Sequence, residues 1–322
     1  MIGRLRRTVV RAVFLVINPS IHLKIFHRLF NYFYERSNVR TINAVVHYVK
    51  NPKLDVYWTF LLQNGKKMKT WIDSKDLKTW QFALSYKWQD PGLNVVEGIV
   101  DAHYPVTVPW IDIGANLGLR SMIALATGRP VYFFEPNEEL NAINLSRCKL
   151  NGLTNFKIMP VGISDRDGEL ILYVDKSSYL SSVHKDLASP ATIVREDKIT
   201  VRSIDSVFAE PEVEFSTAYM KVDTEGHEKY VILGASEFLK KYSPTMIIEI
   251  NEKGDNMNFF IDRLAGNGYS MYAILYKSAT EVLVEFRQDT TEIFNICNNF
   301  LFVKDNGLNL KLTKFCYVPA TK

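Results

Sequence analysis

Five ionisable side chains fall within the eight residues Lys221-Val222-Asp223-Thr224-Glu225-Gly226-His227-Glu228. Carboxylates and an imidazole at the end of a hydrophobic run can take a proton from a hydroxyl, hold a ligand amine or receive a divalent metal. His227 has the ordinary pKa of a general base, near 6.5. Asp223 and Glu225 rank ahead of it as catalytic groups, because position 227 falls where a helix begins. Glu249 closes the next hydrophobic run and is expected at the same cleft, with Glu228, facing the acceptor. Glu225 and Glu228 would also favour the positive end of a helix, which accounts for some of these acids but not all. One acid of the cluster is therefore expected to be structural. Mg²⁺ could be held by Asp223, Glu225 and Glu249 with waters; no histidine–carboxylate spacing demands it, so metal dependence stays open and a metal is not predicted.

The second constellation is Trp110-Ile111-Asp112-Ile113-Gly114-Ala115-Asn116-Leu117-Gly118. It reads as a short strand, a tight turn and the start of a helix. Glycines in such a turn let backbone N–H groups approach a ligand. The dinucleotide fingerprint Gly-x-Gly-x-x-Gly is absent, which argues against a pyrophosphate and for an adenosine-bearing ligand without one. Asn116 keeps the turn tight, since Asn tolerates the left-handed conformation. Asp112, and Glu135 at the end of the following strand, are then placed to meet a ligand amine and ribose hydroxyls.

The elements that must position these groups alternate from residue 106 onward. Strands are expected at Val106–Ile113, Val131–Phe134 and Phe156–Val161, with helices at Leu117–Thr127 and Glu138–Asn151 between them, a βαβαβ half of a parallel sheet. Further strands are expected at Glu169–Val174, Lys198–Val201, Tyr219–Val222, Met246–Ile250, Tyr269–Tyr276 and Phe300–Val303. Helices are expected at Glu228–Lys240 and Asn256–Asn267. The sum is a doubly wound α/β sheet of about seven strands closed by an antiparallel edge, with ligands beyond the carboxyl ends of the strands.

Composition bounds the rest. The 322 residues are 47% hydrophobic and 23% charged, enough for one large domain with an appendage. Residues 1–50 carry nine Lys/Arg against one acid, Glu35, although the whole chain is only +4. The basic character is thus local, and a nucleic-acid footprint is excluded for the main domain. Three cysteines without metal spacing imply a reducing, cytoplasmic setting. The apolar run 12–17 is too short for a signal peptide or a membrane span. Ile21, Ile25, Phe26, Leu29, Phe30 and Phe33 form an amphipathic helical stripe, which either packs on the domain or rests on an anionic membrane surface. Residues 1–104 read as this helical region and a lead-in, with a hairpin around Asn64-Gly65, helical stretches near 77–87 and 94–101, and Trp80, Tyr86 and Trp88 in packing roles. Residues 105–322 form the main domain.

Five segments in order carry a resemblance: Trp110–Gly118, Phe134-Glu135-Pro136-Asn137, Ser164-Asp165-x-Asp167-Gly168, Lys221–Glu228 with Leu233-Gly234-Ala235, and Ile247–Ile250. Together they resemble the FkbM-type family of S-adenosylmethionine-dependent O-methyltransferases over about residues 105–305. The resemblance implies a Rossmann-like class I methyltransferase fold. It implies that Asp112, Gly114, Asn116 and Gly118 surround the methionine part of S-adenosylmethionine, that Glu135 holds its ribose, and that Ser164 or Asp165 lies near the adenine. The implied acceptor is a hydroxyl on a sugar of a surface polysaccharide, glycolipid or glycosylated metabolite, with acceptor-facing loops around 177–198 and 254–258. An NAD-dependent sugar oxidoreductase is the alternative, disfavoured by the missing glycine fingerprint; a non-catalytic adenosyl-ligand-binding protein is disfavoured by the acid cluster.

Overall fold

The computed structural model describes residues 56–62, 66–72, 90–176, 181–187, 192–209, 214–251, 255–287 and 297–317. The amphipathic stretch 21–34, the turn at 64–65, the helix expected over 77–87 with Trp80, Tyr86 and Trp88, and residues 177–180, 188–191 and 254 of the expected loops lie outside the described residues. The chain divides into two compact units, residues 1–89 with 147–152, and residues 90–146 with 153–322. In the first, β1 (Val56–Leu61) and β2 (Lys67–Ile72) form an antiparallel hairpin, with Tyr57 edge-on to Trp71 at 4.8 Å.

The second unit opens with α1 (Pro91–His103), which the sequence places before the boundary at 105 and the structure places with the sheet. There follow β3 (Trp110–Ile113), α2 (Leu119–Thr127), β4 (Val131–Phe134), α3 (Glu138–Leu150) and β5 (Phe156–Met159). After them come β6 (Gly162–Ile163), β7 (Gly168–Asp175), β8 (Ile193–Arg202), the single-turn α4 (Ile204–Val207) and β9 (Tyr219–Val222). The last third holds α5 (Glu228–Leu233), α6 (Ser236–Tyr242), β10 (Thr245–Glu249), α7 (Asp255–Arg263), β11 (Ser270–Ser278), β12 (Glu281–Glu285), β13 (Asn299–Val303) and α8 (Asn306–Leu312).

Eight strands form the main sheet in the order β12-β11-β13-β10-β9-β3-β4-β5. β3, β4, β5, β9 and β10 pair in parallel, and β13 pairs antiparallel with both β10 and β11. The doubly wound class expected from the sequence is present. Its antiparallel last strand is not the edge, however: β13 is inserted between β10 and β11, and an eighth strand, β12, forms the edge. The chain runs outward from β3 through β4 to β5, then returns to β9 and β10 on the other side. The point where the order reverses lies between β3 and β9, the place where such sheets bind ligands.

β3 and β9 are buried along their whole length, and each is apolar apart from one charged residue, Asp112 in β3 and Lys221 in β9. Ile111, Ile113, Met220, Val222, Met246, Ile248, Phe300 and Phe302 belong to one core cluster, each worth ~1.5–3 kcal/mol on burial. The strand expected from Val106 begins only at Trp110, after Pro109, which has no N–H for a ladder. β6, β8 and β7 make a separate three-stranded sheet, held together by its own apolar cluster of Leu172, Val174, Ile199 and Val201.

The helix expected as one piece over Glu228–Lys240 is two, α5 and α6. The break is at Gly234, where an added Cβ would lie 2.1 Å from the carbonyl oxygen of Ser164. Backbone from the β6 end presses against this point, so only glycine fits.

Candidate active site

A cavity opens at the reversal point. Its floor is the carboxyl ends of β3, β4 and β9, through Gly114, Asn116, Glu135, Asp223, Glu225 and His227. Its opposite wall is apolar and comes from the small sheet, through Leu170, Leu172, Ile199 and Val201.

The floor is built by backbone geometry. Gly114, Asn116 and Gly118 all adopt positive φ, at 76°, 50° and 68°. A Cβ on Gly114 would stand 1.8 Å from the carbonyl oxygen of Asp223, so the loops after β3 and β9 touch at this glycine. The Gly114 and Ala115 N–H groups both donate to the Phe134 carbonyl, at 3.0 and 3.1 Å. Glu135 then ties the loops together: its Oε2 accepts from Asn116 N–H and its Oε1 from Asn137 N–H, both at 2.9 Å. Burial pushes the Glu135 carboxyl up to about 7 against those two N–H groups. Asn144 Nδ2 donates to the Asn116 carbonyl at 2.7 Å, fixing the turn from α3.

The other edge carries the acids. Lys221 Nζ donates to Asp223 Oδ2 at 2.6 Å. Glu225 adopts φ 52°, followed by Gly226 at 101°, so the backbone reverses and presents the Glu225 side chain to the cavity. Burial, then the charges of Asp223 and Glu228, push the Glu225 carboxyl up to about 7. Glu249, at the end of β10, is pushed up to about 8 by burial and then by Asp223.

The predicted residues thus divide. Gly114, Asn116, Glu135, Asp223, Glu225 and His227 meet at one cavity; Asp112, Gly118, Ser164, Asp165, Glu228 and Glu249 are not among its lining residues. Asp112 is 1% exposed and accepts from Ser121 Oγ at 2.6 Å. Glu228 is the structural acid of the cluster: its Oε1 accepts from Thr224 N–H, Thr224 Oγ1 and Gly226 N–H at 2.8, 3.0 and 3.1 Å. Gly118 leaves no room for a side chain beside Asn144.

His227 has neither ring nitrogen free. Nε2 lies 2.9 Å from Ser164 Oγ and Nδ1 lies 3.0 Å from His184 Nε2, and its ring stacks on Tyr230 at 4.5 Å. Ser164 donates its one hydroxyl proton to Asp165 at 3.1 Å, so it accepts from His227 Nε2–H, and His227 Nδ1 accepts from His184. Burial and His184 push His227 down to about 4. It is a neutral wall residue rather than the group that meets an acceptor proton. The segment 181–187 also sends Ser182 Oγ to the Glu225 carbonyl at 2.7 Å, and Ser181 and Val183 line the cavity. Nothing in the sequence near His184 signals its contact with His227, and the apolar wall of the cavity is likewise not legible there. Among the described residues, no group of three or more His, Cys, Asp or Glu side chains is arranged to hold a metal ion.

Residues 112–271, which include every cavity-lining group, match the model of the methyltransferase FkbM domain. The chain carries an FkbM methyltransferase domain. Solved structures similar to it include methyltransferase FkbM from Methylobacillus flagellatus KT, at 14% identity and TM-score 0.39, over 70% of this chain and 54% of that one. This chain therefore spans about half the length of that relative. Magnesium protoporphyrin IX methyltransferase from Synechocystis PCC 6803 with bound SAM is similar at 11% identity and TM-score 0.38, over 71% of this chain and 83% of that one. A SAM-dependent methyltransferase from Agrobacterium tumefaciens is similar at 8% identity and TM-score 0.39, over 78% and 71%. No curated protein matches the chain. No helix among the described residues is long and apolar enough to cross a membrane.

Proposed function

We propose that the protein is an S-adenosylmethionine-dependent O-methyltransferase acting on a sugar hydroxyl of a surface polysaccharide, glycolipid or glycosylated metabolite. The observation that carries this reading is the pairing, across one cavity, of the Gly114–Glu135 floor with the Asp223–Glu225 edge. The residues present fit the donor: Gly114 and Asn116 line the cavity floor, Glu135 offers carboxylate lone pairs to ribose hydroxyls, and the Leu170, Leu172, Ile199 and Val201 wall suits a base. S-adenosylmethionine, when bound, supplies an already activated methyl group.

The chain then has two tasks. It must hold the acceptor oxygen in line with that methyl, and it must take the hydroxyl proton as the oxygen–carbon bond forms. Glu225 fits the second task, because it faces the cavity with a pKa near the working pH. Asp223, already bonded to Lys221, fits the first by accepting a neighbouring hydroxyl. We also infer a cytoplasmic protein whose basic residues 1–36 touch the inner membrane face; removing them should lower its recovery with anionic liposomes, and unchanged recovery would oppose this. Calorimetry should show S-adenosylmethionine and S-adenosylhomocysteine binding, and labelled-methyl transfer into cell-envelope extracts should yield an O-methyl sugar by mass analysis. Binding of NADH with neither adenosyl ligand would overturn the reading.

A further inference from the structure

Asp112 on β3 and Lys221 on β9 are register partners, and on adjacent parallel strands such partners share a face. Residue 223, two positions on from 221, continues that face. Lys221 therefore lies between two aspartates. Its ammonium is bonded to Asp223 Oδ2 at 2.6 Å, while Asp112 takes Ser121 on Oδ2 and leaves Oδ1 buried without a partner.

The charges that face this lysine come from every neighbouring element. Asp112 lies on β3, Glu249 on β10, and Glu97 on α1. Glu97 already has Arg120 of α2, at 3.1 Å, so that cation is committed away from the cleft. On the cleft side stand Asp223, Glu225 and Glu228. Lys221 is the cation that acts on Asp223, Glu225 and Glu249 alike.

A buried ion pair is poor evidence of a stability role, since apolar replacements of similar size are often neutral or better. The Lys221 side chain is 10% exposed, so its desolvation is not offset by solvent. Placement at the site is the better account. We propose that Lys221 is a positioning residue, whose ammonium fixes Asp223 at the cavity edge and offsets the crowded charge of Asp223, Glu225 and Glu249, leaving Glu225 as the carboxyl that takes the acceptor's proton. The inference rests on the methyltransferase reading above.

The test is carboxyl-carbon NMR titration of protein labelled at Asp and Glu, for wild type, Lys221→Met and Lys221→Arg, with S-adenosylhomocysteine calorimetry and methyl transfer to envelope extract in parallel. Lys221→Met should raise the Glu225 and Glu249 midpoints by about one pH unit, as loss of one nearby cation requires, and move the acid limb of turnover upward with them. The Kd for S-adenosylhomocysteine should stay within about threefold, and Lys221→Arg should recover at least half the shift. Should Lys221→Met not fold, Lys221→Met/Asp223→Asn read against Asp223→Asn alone carries the test, with midpoints about one unit higher in the double variant. Unchanged midpoints in a variant that still binds S-adenosylhomocysteine overturn the role of Lys221. Failure of the wild type to bind either adenosyl ligand overturns the methyltransferase reading instead.

Discussion

His227 Nδ1 lies 3.0 Å from His184 Nε2, and this contact commits both rings. With Nε2 bonded to Ser164, His227 has no lone pair or proton left for an acceptor. A charge on it would also sit beside His184 in a buried place.

The consequence is a pH dependence of folding. The folded pKa of His227 is about 4, below its ordinary 6.5, so between those values the unfolded chain binds more protons. The contribution is full above pH 6.5 and is lost as pH falls from about 6.5 to about 4. Urea unfolding of wild type and His227→Gln at a series of pH values checks this. The difference between them should shrink by up to about 3 kcal/mol across that window, and a constant difference would remove the shifted histidine.

Turnover should depend on Glu225. Its carboxyl must be ionised to take a proton, so the rate should fall as pH drops through about 7. Glu225→Gln should lose at least ~100-fold in kcat, with S-adenosylhomocysteine affinity kept within about threefold. Full activity in this variant would exclude Glu225 as the base.

Glu135 should govern the donor instead. Glu135→Ala removes the acceptor of the Asn116 and Asn137 N–H groups and should weaken S-adenosylhomocysteine binding at least ~10-fold, since charged hydrogen bonds are worth ~1.5–3 kcal/mol. Calorimetry reads the effect directly; an unchanged Kd would end the ribose role.

Two glycine substitutions should have opposite signs. Gly114→Ala places a Cβ on the Asp223 carbonyl and strains a positive φ, so it should cost about 3 kcal/mol or more in chemical denaturation. Gly98→Ala, in the exposed face of α1 with nothing within 4 Å of its Cβ, should stabilise by ~0.5–1 kcal/mol. Equal effects would mean the loop after β3 relaxes freely.

Much of this was legible in the sequence where the signal is local. The bounds of β4 and β9 are legible to the residue, because buried parallel strands are mostly apolar, with Lys221 the one charge in β9. The Gly114–Gly118 turn announced itself by its spacing. What escaped was set by distant neighbours. The break at Gly234 depends on Ser164, seventy residues earlier, and the partner of His227 lies 43 residues away in the preceding loop. Asp112 reads as a ligand group at a strand end, yet it turns into the core toward Ser121. The helix α8 did carry a signal, Asp305 accepting from Leu308 N–H with Leu308 and Leu312 on one face, but in a short segment that signal is weak. Among the described strands β12 is laddered to β11, and nothing in its own five residues says so.

The left-handed backbone at Glu225 sets activity against durability. A non-glycine residue held there carries ~1–3 kcal/mol of strain, sustained by Ser182 on its carbonyl and by Glu228 on the following N–H. Replacing Glu225 with glycine should therefore give a more heat-resistant protein and an inactive one. Selection for stability alone would favour glycine at this position, so under the role proposed for Glu225 the strain is what keeping a carboxyl in the cleft costs.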